Sequence, residues 1–255
     1  MTQDDTDRRD EPGAWFGDRR VGAAEKGPLV RGVFDSVAER YDLMNDLMSG
    51  GVHRLWKAAL IDRLAPRGAL ALLDMAGGTG DIALRVAARA PQARVLVADM
   101  NLRMLSVGRD RAINRGVIDG LDYLACDAEA LPLRARSFDA YTIAFGLRNV
   151  TRIEPALAEA HRVLKPGGRF LCLEFSRVVM PGLAALYDAY SFRVLPALGA
   201  RVARDREAYQ YLVESIRRFP PQDELAALMR TAGFEQVGYH NLSGGIAAIH
   251  TGWRI

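Results

Sequence analysis

With 255 residues, 49% hydrophobic and 25% charged, the chain has ordinary globular composition and can bury a core without disulfide or metal staples. Disorder of the whole chain, a collagen-like repeat and a disulfide scaffold are excluded, and the two cysteines, Cys126 and Cys172, read as reduced core thiols in apolar runs. The net charge of +3 sits in scattered pairs such as Arg8-Arg9 and Arg217-Arg218, which is weak footing for nucleic acid and equally suits loose contact with anionic lipid.

Residues 1–28 are rich in Asp, Arg and Gly without an apolar period, and are expected to form a flexible arm, disordered or loosely docked. The rest, 29–255, reads as one domain. Val33, Phe34, Val37 and Tyr41 share one helical face, and a second helix is expected from Val52 to Leu64, stopped by Pro66. Strand and helix signals then alternate. Strands are expected at 70–75, 94–98, 121–126, 138–145 and 169–175. Helices are expected at 82–90, 102–114 and 153–164, the last stopped by Lys165-Pro166-Gly167-Gly168. This alternation predicts an α/β fold with a doubly wound, mostly parallel sheet. A helix at 220–233 and two strands at 234–241 and 246–253, joined through Leu242-Ser243-Gly244-Gly245, predict a closing hairpin and thus an antiparallel strand near the C-terminus.

Gly77-Gly78-Thr79-Gly80-Asp81 follows the first of these strands and opens a helix; its glycines let the backbone turn and approach a ligand. Asp99 ends the next strand, where an acid can accept both hydroxyls of a ribose. Gly78-x-Gly80-x-x-Ala83 with Asp99 downstream also satisfies a dinucleotide fingerprint. Charge favours S-adenosylmethionine over a dinucleotide. A pyrophosphate about 4 Å from Asp81 would be repelled by about 4 kcal/mol at an effective dielectric of about 20. Asp74 and Asp81 instead suit an ammonium and a sulfonium. Asp127, at the end of the third strand, can meet an adenine edge. Asp74, Asp81, Asp99 and Asp127 thus line the carboxyl edge of the sheet, where open α/β sheets bind ligands.

The runs Gly77-Gly78-Thr79-Gly80-Asp81, Asp99-Met100-Asn101, Asp127-Ala128-Glu129-Ala130-Leu131-Pro132, Phe145-Gly146-Leu147-Arg148-Asn149-Val150 and Arg162-Val163-Leu164-Lys165-Pro166-Gly167-Gly168 occur in this order. Together with Phe34 to Asp42 and Tyr187 to Phe192, they closely resemble the ubiquinone/menaquinone biosynthesis C-methyltransferases of the UbiE type, over roughly residues 30–255. The resemblance implies a class I methyltransferase fold with a seven-stranded sheet. It implies S-adenosylmethionine contacts at Thr79, Asp99 and the Asp127-Ala128 pair, beside the loop glycine Gly77. Family members often carry Ser where this chain has Ala144, so no hydroxyl contact is expected there.

The implied reaction is methylation of a ring carbon of a polyprenylated quinol, with 2-methoxy-6-polyprenyl-1,4-benzoquinol, demethylmenaquinol or both as acceptor. The ring becomes nucleophilic when its hydroxyl ionises. Arg148 is expected to stabilise that phenolate or to orient a water that takes the proton, with Asn149 placing the hydroxyl or the water. No metal is called for: the histidines His53, His161, His240 and His250 show no ligand spacing. The apolar stretch from Val178 onward is expected to form a helical lid insertion, around 178–218, that shelters the isoprenoid tail and touches the membrane surface. No apolar run reaches the roughly 18 residues of a membrane span, and the acidic start is unlike a secretory signal. A cytoplasmic enzyme is therefore expected, with peripheral contact at the inner face of the membrane and a place in a quinone-biosynthesis assembly as further options, and with no nucleic acid partner. Three rival readings are a nicotinamide oxidoreductase, a methyltransferase acting on another substrate such as a nucleic-acid base, and a non-catalytic member of a quinone-synthesis assembly. Against the base methyltransferase, the chain has Ala144-Phe145-Gly146-Leu147 where amino-directed enzymes often carry Asn/Asp-Pro-Pro-aromatic.

Overall fold

The structure, a computed structural model, describes residues 13–37, 45, 46, 49–180, 182 and 206–255. Strands β1 (Ala14–Phe16) and β2 (Arg19–Val21) form a small antiparallel hairpin, followed by α1 (Ala23–Val37). Next come α2 (His53–Leu64), β3 (Ala71–Met75), α3 (Asp81–Arg89), β4 (Arg94–Asp99), α4 (Leu102–Asn114), β5 (Leu121–Ala125) and β6 (Phe138–Ala144). The chain ends with α5 (Ile153–Val163), β7 (Leu164–Phe175), α6 (Arg206–Arg218), α7 (Gln222–Thr231), β8 (Glu235–Leu242) and β9 (Ala247–Trp253).

Seven strands make one sheet in the order β5-β4-β3-β6-β7-β9-β8, with β9 antiparallel to both of its neighbours and every other pairing parallel. The predicted doubly wound sheet and its antiparallel C-terminal strand are thus present. Successive residues of a strand point to opposite faces. Leu72, Leu171, Leu173 and Phe175 accordingly pack with Trp56, Leu60 and Leu64 of α2 and Val86 of α3. Leu73, Tyr141, Phe170 and Cys172 pack on the other face with Leu157 and Ala160 of α5 and Met229 of α7. Helices on both faces explain why these strands read as continuous apolar runs. Each fully buried Leu contributes roughly 1.5–3 kcal/mol by leaving water. The strand order reverses beside β3, which has β4 on one side and β6 on the other, and a crevice opens at that switch point.

The flexible arm expected over residues 1–28 is corrected from residue 14 onward. Phe16 stacks on Tyr211 of α6 with centroids 4.5 Å apart, the Arg218 guanidinium lies 3.5 Å over the Trp15 ring, and Asp18 N–H donates to Glu214 at 2.9 Å. The two arms are too short to show a period, but Gly17-Asp18 between them is a two-residue turn signal, with Gly17 at φ +57°. Helix α1 also starts ten residues before the apolar face that announced it.

Strand β7 begins at Leu164, directly after α5, so the Lys165-Pro166-Gly167-Gly168 turn is a bulge within a strand rather than a loop before it. It is extended because Gly167 N–H donates to Arg254 O and Arg254 N–H to Gly168 O. The Arg254 guanidinium donates in turn to the carbonyls of His161, Arg162 and Leu164, which satisfies the open end of α5. The expected lid falls mostly on residues outside those described, as does the Tyr187 to Phe192 run; of 178–218 the structure describes 178–180, 182 and α6. Among the described residues no helix is long and apolar enough to cross a membrane.

Candidate active site

An open cavity of about 1030 Å³, counting the solvent in its mouth, lies at the carboxyl edge of β3, β4 and β6. Every residue expected to bind the cofactor lines it: Gly77, Thr79, Asp99, Asp127 and Ala128. Gly77 and Thr79 lie on the loop 76–80, which forms where β3 stops at Met75; Asp99 ends β4, and Asp127 and Ala128 follow β5. A Cβ on Gly77 would sit 2.7 Å from Val97 Cγ1 and 2.8 Å from Asp74 Oδ2, so only glycine fits. Gly108 of α4 lies against the same loop, where a Cβ would come within 2.7 Å of Gly78 O. Gly108→Ala is therefore expected to push the loop into the cavity and weaken S-adenosylmethionine binding about tenfold, the scale of a small overpacking cost. Calorimetry with unchanged affinity would show that the loop has room to yield.

Asp99 Oδ2 accepts from Gly78 N–H at 3.0 Å and Oδ1 from Asn101 N–H at 2.8 Å. Burial nonetheless pushes its pKa up to about 6 against these amide donors. Asp74 is fully buried and its pKa is raised to about 7 by that burial, although Thr142 Oγ1–H donates to its Oδ1 at 2.8 Å. Asp74 is among the residues around the cavity, and its buried Oδ2 has no protein partner among the described residues. Asp81 differs. Burial would raise its pKa, but the charges of Lys57 at 2.9 Å and Arg85 at 3.0 Å outweigh it and hold the carboxyl at about 2. Asp81 is thus an ionised, already paired acid at the N-terminus of α3. Asp127 is exposed and accepts from Glu129 N–H at 2.9 Å.

Lys57 is a site residue that sequence patterns did not point to: it is buried on α2, far from the glycine loop in sequence, and also lines the cavity. Helix α1 contributes as well. Val30 and Phe34 line the cavity, Asn101 Nδ2 donates to Asp35 Oδ1 at 2.9 Å, and Lys26 Nζ donates to Val150 O at 2.6 Å. Ala144 lines the wall with a methyl group, as its sequence position implied.

The two residues expected to be catalytic part company. Asn149 lines the cavity. Arg148 does not. Its fully enclosed side chain donates through Nη1 to Glu174 Oε1 at 2.7 Å and to Phe145 O at 2.6 Å, and its backbone N–H donates to Glu174 Oε2 at 3.3 Å. The expectation of a free Arg148 cation facing a phenolate is corrected on this geometry, because Glu174 already answers its charge. Arg148 Nε and Nη2 keep no protein partner among the described residues. Glu174 had a signal in the sequence: it is a lone acid inside the apolar run Phe170-Leu171-Cys172-Leu173-Glu174-Phe175.

A seven-stranded sheet with β9 reversed, a glycine loop at its switch point and an acid ending the next strand define the class: a class I S-adenosylmethionine-dependent methyltransferase. The chain matches the ubiE/COQ5 methyltransferase family over residues 21–254 and belongs to it. It is 60% identical over 249 residues to the ubiquinone/menaquinone biosynthesis C-methyltransferase UbiE of Methylobacterium nodulans, covering 96% of this chain and 98% of that protein. To the UbiE of Dinoroseobacter shibae it is 57% identical over 240 residues, covering 94% and 96%. Among solved structures, a methyltransferase of Thermotoga maritima described as a possible histamine N-methyltransferase matches with a TM-score of 0.62 at 22% identity, over 89% of this chain and 100% of that one. That likeness carries the fold alone.

Proposed function

We propose that this enzyme transfers the methyl group of S-adenosylmethionine to a ring carbon of a polyprenylated quinol, in ubiquinone or menaquinone biosynthesis, within the cavity at the carboxyl edge of its sheet. Membership of the ubiE/COQ5 family, with 60% identity to a UbiE over nearly the whole chain, carries the reading. The donor set suits the cofactor. Asp99 would receive the ribose hydroxyls, Asp127 and Ala128 the adenine, and the Asp74 carboxyl would answer the ammonium from behind the glycine loop. Bound there, S-adenosylmethionine supplies an electrophilic methyl on a sulfonium.

The chain's own residues do the rest. Val30 and Phe34 cover the cavity with apolar surface. Asn149 offers an amide N–H to the acceptor's ring oxygen. Arg148, enclosed behind the cavity wall, holds the loop 145–149, and Asn149 with it, through Phe145 O and Glu174. Alignment of carbon, methyl and sulfur supplies much of the rate. Exposed Val179 and Met180, at the start of the expected lid, suit contact with the membrane surface where the isoprenoid substrate resides.

Methyl-labelled S-adenosylmethionine with each quinol in mixed micelles tests the reading. Label in the quinone of at least one acceptor is expected, and label in neither overturns it. In the same preparation, anionic vesicles should carry the protein in flotation, and protein left in the soluble fraction would remove the membrane part.

A further inference from the structure

Tyr211 belongs to none of the motifs around the glycine loop and sits on α6, yet its hydroxyl reaches the cavity wall. It donates to Asn149 Oδ1 at 3.0 Å. On the other side of the amide, Asn149 Nδ2 faces Phe145 O at 3.5 Å, a carbonyl already receiving Arg148 Nη1 at 2.6 Å. These two neighbours have opposite character. A carbonyl can only accept, so the NH2 end must face it, which leaves Oδ1 for the hydroxyl. With the amide turned this way, one Nδ2 hydrogen has a long contact with Phe145 O and the other is free for the cavity that Asn149 lines.

We propose that Tyr211 is a positioning residue for methyl transfer, fixing the Asn149 amide so that its N–H, and not its oxygen, faces the quinol's ring oxygen. The inference rests on the reading of Asn149 as the donor to the acceptor. The negative charge that this oxygen gains when the hydroxyl ionises is stabilised by a donor and opposed by an amide oxygen, so a free flip would place the wrong end in the site part of the time. Burial raises the Tyr211 pKa, and the hydroxyl therefore keeps the proton it donates. The ring is itself held: Phe16 of the N-terminal hairpin stacks on it at 4.5 Å and 21° between planes. The hairpin thus supports the active site through Tyr211, although neither β1 nor β2 lines the cavity.

A double-mutant cycle in kcat tests the proposal, with a polyprenyl benzoquinol as acceptor and circular dichroism to confirm folding. Tyr211→Phe keeps the ring and its stack on Phe16. It should lower kcat about tenfold, the worth of one oriented hydrogen bond, with S-adenosylmethionine Kd within about twofold. In an Asn149→Ala background the same substitution should do nothing further, because it acts through the amide. Phe16→Leu, which keeps the hydroxyl but loosens the ring, should give a smaller loss of kcat that also vanishes beside Asn149→Ala. It serves as the second probe if Tyr211→Phe folds poorly. Normal kcat for Tyr211→Phe while Asn149→Ala is impaired overturns the proposal, as does a full multiplicative loss in the double variant. Normal turnover by Asn149→Ala would instead overturn the reading of Asn149, and the proposal with it.

Discussion

Arg148→Ala should destabilise the folded protein by about 3–5 kcal/mol, the cost of leaving one member of a buried ion pair without the other. Glu174 is the member left behind. It is buried near the C-terminal end of β7, and burial already raises its pKa against the opposing charge of Arg148. Without Arg148 only the burial remains, and Glu174 takes up a proton. The sign follows from linkage. A folded pKa above the unfolded value gives stability that is full below the unfolded pKa and is lost as pH rises through the folded one. Arg148→Ala should therefore be closest to wild type in urea unfolding at pH 5 and weakest at pH 8. Replacing both members by apolar residues, as in Arg148→Met with Glu174→Leu, removes the charges together and should recover most of the loss. Turnover should not recover, because the Phe145 carbonyl loses the Arg148 donor that holds the loop carrying Asn149. An Arg148→Ala protein as stable as wild type at pH 8 would show that Glu174 finds another partner.

The sheet was legible because its strands are apolar runs that each stop at a turn-former or an acid: Met75 before the glycine loop, Asp99, Asp127, and Phe145-Gly146. Local chemistry sets those boundaries, and most agree with the structure to within a residue or two. The cofactor acids were legible for the same reason, since strand ends define one edge of a parallel sheet. What sequence could not give is pairing across distance. Arg148, in the turn after β6, meets Glu174 of the neighbouring β7, Lys57 meets Asp81 from a helix that precedes the sheet, and Tyr211 meets Asn149 from α6. Each pair forms because the doubly wound layers bring helices and strand ends together, and no period or spacing encodes it. The hairpin at 14–21 escaped because three-residue strands carry no measurable alternation, and its stability comes from Phe16 and Trp15 packing on α6.

Asp99→Ala should weaken S-adenosylmethionine binding by about 2 kcal/mol or more, roughly thirtyfold, as charge-assisted hydrogen bonds to the ribose are lost. The loop adds to this loss, since Gly78 and Asn101 N–H groups donate to the same carboxylate. The pH dependence of binding identifies the carboxylate directly. Asp99 has a pKa of about 6, so the free protein holds a proton there below that pH, whereas two ribose hydroxyls require the ionised acceptor. Affinity should be flat well above pH 7 and fall as pH drops, approaching about tenfold per unit once Asp99 is protonated. Asp74, at about 7, begins the decline earlier through its attraction for the ammonium. Asp99→Ala should lose the lower step and keep the upper one. Stability of the ligand-free protein should carry the opposite slope from these two groups. Both folded pKa values lie above the 3.8 of an ordinary aspartate, so their contribution is full below about pH 4 and is lost as pH rises through 6 and 7. Asp81 acts the other way, contributing above its unfolded pKa and losing that contribution only as pH falls through about 2. Between pH 5 and 8 the two raised carboxyls therefore dominate among these acids. Calorimetry across that range should find binding strengthening toward pH 8. A Kd constant from pH 5 to 8 would place the ribose against a group other than Asp99.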